Sequence, residues 1–349
     1  MEHRSLMLRA QEANSGYDLR ASLTEQAVVS NELTSAPRSG APMVVGFHGI
    51  VYPTWKMNGN WFITGALQLT TRPFYYEDLS STGYGAKGNV LQASVNYSRV
   101  SNKGSLLVRV GELSTVFGSF VIRYDDADNA LIDLPSGYGY YYSPESILPV
   151  AGAQMDVTTG RWDARVQFAN SSPANPRSLF AKDQYGNWAG GAGFTIRQGF
   201  RVGVSGYRGP YLDRKYRYFF PGEVDPRKLP AHALGLDASW ERRHSSVTGE
   251  LQKFVMPYTV IPNFRESAGY LEGKQVISPR WYAAARYGFV TTNETSRAQT
   301  VETAVSFRPN RFQIIKTGFQ LEHYTGDKVP GDKTFALQLV TSLHKSIAR

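Results

Sequence analysis

In RWDARVQFAN, residues 161–170, polar Arg161, Asp163, Arg165 and Gln167 alternate with apolar Trp162, Ala164, Val166 and Phe168. A strict period of two fits an extended strand and no helix. The template recurs in about 16 segments. In the first half they are residues 17–30, 43–53, 61–71, 89–99, 104–112 and 151–158. The second half adds 161–170, 188–198, 200–209, 231–242, 245–256, 267–277, 280–291, 298–308, 311–324 and 333–343. Most run about 9 to 14 residues, longer than the globular norm of about 5 to 6 and suited to a tilted bilayer crossing.

The connections alternate in length. WKMNG, SNKG, TGR, Gln198–Gly199, RRHS, SPR and RPN are short. Between them lie loops near 72–88, 113–150, 171–187, 210–230, 257–266, 292–297 and 325–332. Short turns on one side and long loops on the other, with an even strand number, mark a transmembrane β-barrel. The fold class predicted is all-β, a 16-stranded antiparallel barrel with both termini on the periplasmic side. Residues 17–343 are expected to form one β-barrel domain, with 1–16 an N-terminal polar segment and 344–349 a C-terminal tail. No four-strand block repeats, which argues against a propeller.

Parity separates two faces. One carries Leu67, Leu91, Val95, Val108, Phe168, Val204, Leu236, Trp240, Trp281, Val305, Phe307 and Leu337, and is expected to meet lipid. The other carries Gln92, Asn96, Arg109, Asp163, Arg165, Arg201, Asp237, Glu241, Glu250, Glu272, Arg286, Glu302 and Gln320. An unpaired buried ion costs several kcal/mol, so so many charges imply a wet interior. A soluble sandwich with the ionic face outward would need every apolar face paired and leaves the alternating loop lengths without a reason. Glu25 falls on the apolar parity of the first segment.

Composition narrows the chemistry. The 349 residues contain no cysteine, and the six histidines never fall at ligand spacing. No metal or other cofactor is expected. No run of 18 apolar residues exists, which rules out a helical span. The excess of 38 basic over 29 acidic residues, formally +9, suits anionic partners. MEHRSLMLRAQEANSGYD lacks the apolar centre of a secretory signal. On its face this points to the cytoplasm; the alternative is numbering that starts after, or inside, a removed signal.

The stretch RVGELSTVFGSF, residues 109–120, precedes the longest loop and a strand pair. It resembles bacterial outer-membrane porins, in particular the phosphate-selective porin O and P type, in its Gly111, Phe117 and Gly118. Val116 stands where that family often has proline. The likeness in layout covers nearly the whole chain. It implies a third loop folded into the barrel as a constriction, and a homotrimer. The chain ends TSLHKSIAR, without the terminal aromatic residue usual in porins.

The constriction implied by that resemblance involves Phe117 and Gly118 and carries Asp125, Asp126, Asp128 and Asp133 against Arg123. The wall offers a basic arc of Arg109, Arg161, Arg165, Arg197 and Arg201, opposed by Asp156 and Asp163. Asp237, Glu241, Glu250, Glu272, Glu302 and Glu322 follow, diluted by Lys274, Arg286, Arg308 and Lys316. Acidic loop facing basic wall across water would set up a transverse field that sorts solutes. Alternatively, several of these arginines are tied into ion pairs. Loop 211–228, which interleaves Arg214, Lys215 and Arg217 with aromatics, suits sugar stacking or, more readily, lipopolysaccharide phosphates. GYGYYY at 137–142 and GGAG at 190–193 open no helix and do not read as phosphate loops.

The function expected is a passive diffusion porin of the bacterial outer membrane, for small hydrophilic solutes with a preference for anions. Its partners are outer-membrane lipid, lipopolysaccharide and those solutes, with no nucleic acid. It is not expected to be an enzyme: His232 and His323 sit at strand ends without GxSxG or an equivalent. The alternatives are a barrel-borne outer-membrane enzyme and a soluble β-rich carbohydrate-binding or hydrolytic protein.

Overall fold

The computed structural model describes residues 15–31, 43–72, 74, 85–139, 149–175, 185–212, 225–294, 296–325 and 331–348. Sixteen antiparallel strands close into one barrel in which each strand pairs with its sequence neighbours and the last returns to the first. They are β1 (Gly16–Ser30), β2 (Val44–Lys56), β3 (Trp61–Arg72), β4 (Gly85–Ser101), β5 (Gly104–Leu113), β6 (Val150–Thr159), β7 (Trp162–Ala169) and β8 (Asn187–Arg197). The second half contributes β9 (Phe200–Gly209), β10 (Ala231–Arg242), β11 (Ser245–Met256), β12 (Phe264–Ser278), β13 (Trp281–Thr292), β14 (Ser296–Asn310), β15 (Gln313–Thr325) and β16 (Lys333–Ala348). Closure satisfies every strand's backbone within the sheet, the condition for non-helical backbone to cross a hydrocarbon layer. Among the described residues no helix is long and apolar enough to cross a membrane.

The outward face is apolar along the strand centres, with Leu67, Val110, Val166, Val204, Leu236, Leu251, Val305 and Leu337 exposed. At the short-turn end aromatic pairs ring the barrel: Tyr17 on Trp55, Trp61 on Tyr97, Trp162 on Phe194 and Trp281 on Phe307, with ring centroids 4.7 to 6.1 Å apart. Such girdles flank the apolar band of membrane barrels.

Two details differ from simple alternation. Leu91, assigned to the lipid face by parity, points inward and packs with Ile50, Ala66, Phe74 and Tyr124. The β3–β4 register shifts there, from Ala66 opposite Gln92 to Leu67 opposite Val90. The extra residue turns Leu91 in and Val90 out, as a bulge does. The expected tail 344–349 is strand as far as Ala348, because β1 starts at Gly16 and pairs with it. The polar segment 1–14, most of loop 211–228 and the tyrosines 140–142 lie outside the described residues.

Candidate channel lining

In the longest connection, between β5 and β6, the described residues 114–139 turn into the barrel. Two backbone features launch it. Gly111 has φ +143°, and a Cβ there would stand 2.1 Å from the Ala93 carbonyl oxygen. Gly118 has φ +81°, and its N–H donates to Ser205 Oγ at 3.3 Å. Between them Phe117 is fully buried among Tyr207, Ala231, Ala233 and Phe254. The Gly–spacer–Phe-Gly passage thus pins the loop's start across the lumen on β9 and β10.

From there the loop follows the inner wall and is tied down strand by strand. Ser119 N–H and its hydroxyl donate to the Glu250 carboxylate on β11 at 3.0 and 2.8 Å, and the Tyr138 hydroxyl donates to the same group at 2.9 Å. Arg123 donates to Glu272 at 2.6 Å and to the Tyr270 hydroxyl at 2.9 Å on β12. Crossing to the far side, Asp125 accepts from the Tyr52 hydroxyl at 2.7 Å. Asp126 Oδ2 lies 2.6 Å from His48 Nδ1 on β2. The chain then returns along β15, β14 and β13. Lys316 Nζ donates to the carbonyls of Asp126, Asn129 and Leu131 at 2.5, 2.9 and 2.9 Å. Glu302 accepts from the N–H groups of Ile132 and Asp133, both at 3.0 Å. Arg286 donates to the Asp133 carbonyl at 2.6 Å, to Glu302 at 2.5 Å and to Glu272 at 3.2 Å.

Apolar contacts reinforce the polar ones. Ala130 and Leu131 pack with Tyr282, Ala284, Ala304, Ile314 and Val340 of the inner wall. Ile132 packs with Val28 and Ala336, and Phe120 with Tyr138 and Tyr270. Leu134 touches both this last group and the cluster on β2 and β3. A wet interior all round, as expected from parity, therefore holds only in part. Over β11–β16 and β1–β3 the lumen is filled by the loop, because these strands present alanine, valine, isoleucine and tyrosine beside their charges.

The expected opposition of acidic loop and basic wall across water is not what forms. Asp125, Asp126 and Asp133 are buried, and only Asp128 is exposed. Burial opposes ionisation of Asp126, but the His48 ring beside it, their hydrogen bond and the Lys316 ammonium outweigh this and hold its carboxyl below the usual carboxylate range. Glu250, Glu272 and Glu302, expected to line open water, are 3, 3 and 1% exposed. They serve as acceptors for loop backbone, Arg123 and Arg286. A carboxylate is an acceptor-only group, so it is apt to collect the donors of an irregular loop that has no ladder to join.

The basic arc stays on the side the loop leaves open. Arg109 lies 3.6 Å from Asp156, both partly exposed. Arg201 bridges Asp163 at 2.6 Å and Asp237 at 2.5 Å. Arg165 stands opposite Asp156 in the β6–β7 register, and among the described residues no salt bridge involves it. Arg161 and Arg197 are exposed at the short-turn rim, with Arg161 donating to the Ile196 carbonyl at 3.3 Å; Glu241 is exposed at the same rim. His48 and Tyr52 of the wall and Tyr138 of the loop, not singled out as anchors from the sequence, also hold the loop. The inward parity of His48 and Tyr52 on β2 was readable; Tyr138 lies in the loop and has no strand parity, and the partners of all three, some 70 to 110 residues away, left no local mark.

No protein-family profile and no curated protein matches the sequence. Solved structures do. An anion-selective porin from Comamonas acidovorans superposes with a TM-score of 0.65 at 9% identity, covering 95% of this chain and 100% of that one. OprB of Pseudomonas putida gives 0.64 at 10%, covering 98% and 96%. OmpT of Vibrio cholerae, an outer-membrane protein solved in a trimer form, gives 0.61 at 10%, covering 95% and 100%. What is shared with these bacterial outer-membrane proteins is the closed 16-stranded fold over nearly the full chain.

Proposed function

We propose that the protein is a porin of the bacterial outer membrane, a passive channel for small hydrophilic solutes with a preference for anions. The observation that carries the reading is the division of the lumen. The loop buries Glu250, Glu272 and Glu302 together with Arg286 and Lys316 and engages the partly exposed Arg123, so most of those charges no longer face solute. What meets water is the wall of β5–β10, where Arg109, Arg165 and Arg201 offset Asp156, Asp163 and Asp237. Arg161 and Arg197 at the rim then exceed Glu241. The porin fold of the neighbours, one of them the anion-selective porin from Comamonas acidovorans, supports the same reading. The passage through Gly111, Phe117 and Gly118 supports the phosphate-selective kind in particular.

A homotrimer fits the outward face of β1. Glu25 projects there between Phe47 and Leu339, and a carboxylate against hydrocarbon is unfavourable in a way that an interface between subunits would relieve. The OmpT trimer form offers a parallel assembly. Planar-bilayer recording of the refolded protein tests the function. Ohmic conductance steps and a reversal potential on the anion side under a salt gradient are expected. A folded barrel that inserts and carries no current would overturn the channel reading.

A further inference from the structure

At the long-loop end, the outward face of β9–β12 breaks its apolar pattern. Arg208, His232, Lys253 and Arg265 all point outward and are exposed. In register, Arg208 stands opposite His232, His232 opposite Val255, and Val255 opposite Arg265, one row across four adjacent strands. Lys253 lies one outward step deeper, beside Leu234. With strands about 4.8 Å apart the row spans about 14 Å. An open groove on this surface is lined by His232, Leu234, Lys253, Val255 and Arg265. The one carboxylate recorded near it among the described residues is Glu294, 3.5 Å from Arg265 and largely exposed.

The depth of the row is fixed by its neighbours. Trp188 of β8 is opposite Arg208 and lies 4.7 Å from Phe168, ring to ring. This pair repeats, at the other end, the girdle of Trp162 and Phe194. From His232 to Trp240, near the short-turn end of β10, is eight residues, about 26 Å along the strand and about 20 Å of height at a tilt near 40°. The row therefore sits at headgroup level of the external leaflet, with Leu234, Leu236, Leu251 and Val204 below it against hydrocarbon. Glu25 lies on β1, five to eight strands round the closed sheet from the row, so the subunit contact proposed there leaves this face to lipid.

Resting on the outer-membrane reading, we infer that Arg208, His232, Lys253 and Arg265 form a site for the phosphorylated sugar headgroup of an external-leaflet glycolipid, lipid A. Arg208 and Arg265 present planar donor forks suited to phosphate oxygens. Their spacing matches two phosphates carried on one disaccharide better than a single phosphodiester. Lys253 reaches up from the deeper position on its flexible stem. The groove beside Leu234 and Val255 takes the first methylenes of an acyl chain.

The test uses the full chain refolded in glycolipid-free detergent, its folding checked by heat-modifiable migration and its conductance measured in the same preparation. Bisphosphorylated lipid A, monophosphorylated lipid A, phosphatidylglycerol and inorganic phosphate are added separately and retention is read by native mass spectrometry. Retention of bisphosphorylated lipid A above the other three is expected. Arg208→Gln/Lys253→Gln/Arg265→Gln should bind it about a hundredfold more weakly, at roughly a factor of five for each basic residue near a charged lipid surface. Arg208→Lys/Arg265→Lys should retain most of the binding. Equal retention of phosphatidylglycerol, binding of inorganic phosphate alone, or an unaffected triple variant would overturn the site. A barrel that conducts but holds no lipid A sinks this inference alone; one that does not conduct sinks the channel reading.

Discussion

Lys316 Nζ of β15 donates to the carbonyl oxygen of Asp126 at 2.5 Å, so a wall ammonium holds the backbone of the inserted loop. Its other two bonds go to Asn129 and Leu131, and its side chain is fully buried. Lys316→Met keeps the stem and removes the charge, leaving three buried carbonyls without this donor at about 1–3 kcal/mol each. The barrel keeps its own ladder, so strand content by circular dichroism should not change. Single-channel records should show a larger mean conductance with added flicker as the loop loosens. Unchanged, quiet steps would mean that apolar packing alone holds the loop.

Arg286 is bonded to Glu272, Glu302 and the Asp133 carbonyl at once. Arg286→Met leaves the buried Glu302 without its ion-pair partner and Glu272 with Arg123 alone, and breaking a buried pair from one side costs about 3–5 kcal/mol. Its thermal unfolding midpoint in detergent should drop clearly. Arg286→Met/Glu302→Gln should recover part of the loss, since the second change removes one stranded charge. A double variant no more stable than the single would place the loss elsewhere, in packing around Phe120.

The contrast between these charges and their sequence context shows what can be read along a chain. Strand boundaries and the two faces were legible because alternation is local, and they held within a few residues even where β16 runs on to Ala348. Leu91 was misread because a bulge leaves no mark in parity. The partners of Glu250, Glu272 and Glu302 were illegible for a different reason. Inward parity places a carboxylate inside the barrel but does not say whether water or the loop reaches it first. The apolar inward residues Ile314, Val340 and Ala336 were the available sign that part of the lumen is packed.

Acid should loosen the loop through Asp126. Its carboxyl is held below the usual range in the folded protein, while an unfolded aspartate titrates near 3.9. The stabilisation is therefore complete above about pH 4 and is lost as pH falls through the folded value. Conductance at constant salt should stay flat from neutral pH to about pH 4 and then rise. Asp126→Asn should show the looser behaviour at all pH values, with this acid step removed. A step that persists in that variant would belong to another group.

Gly111 tests how the loop is launched. A Cβ would meet the Ala93 carbonyl at 2.1 Å, and φ of +143° is itself unfavourable for alanine. The strain is of the order of 1–3 kcal/mol. Gly111→Ala should lower the refolded fraction, read as the heat-modifiable band, whereas Gly59→Ala, with nothing within 4 Å of the added carbon, should not. Equal yields would show that β5 adjusts at no cost.

Selectivity is expected to follow Arg161 and Arg165. Arg165 lies on β7 and Arg161 in the turn just before it, about 13 Å apart, Arg165 half-buried in the wall and Arg161 at the rim. Asp163 between them is already engaged by Arg201, so it offsets their field less than its position suggests. Arg161→Glu/Arg165→Glu reverses two charges and leaves Trp162, Ala164 and Val166 on the outward face, so insertion should survive. The reversal potential should move toward cations. The shift should be larger at 0.01 M salt, where the screening length is about 30 Å, than at 0.1 M, where it is about 10 Å. Asp163→Asn should move it the other way, toward anions, since it removes one carboxylate from the same stripe. If the double variant inserts normally and keeps the parent's reversal potential at both salt concentrations, the two arginines belong to the wall alone and the anion preference has to come from another part of the lumen.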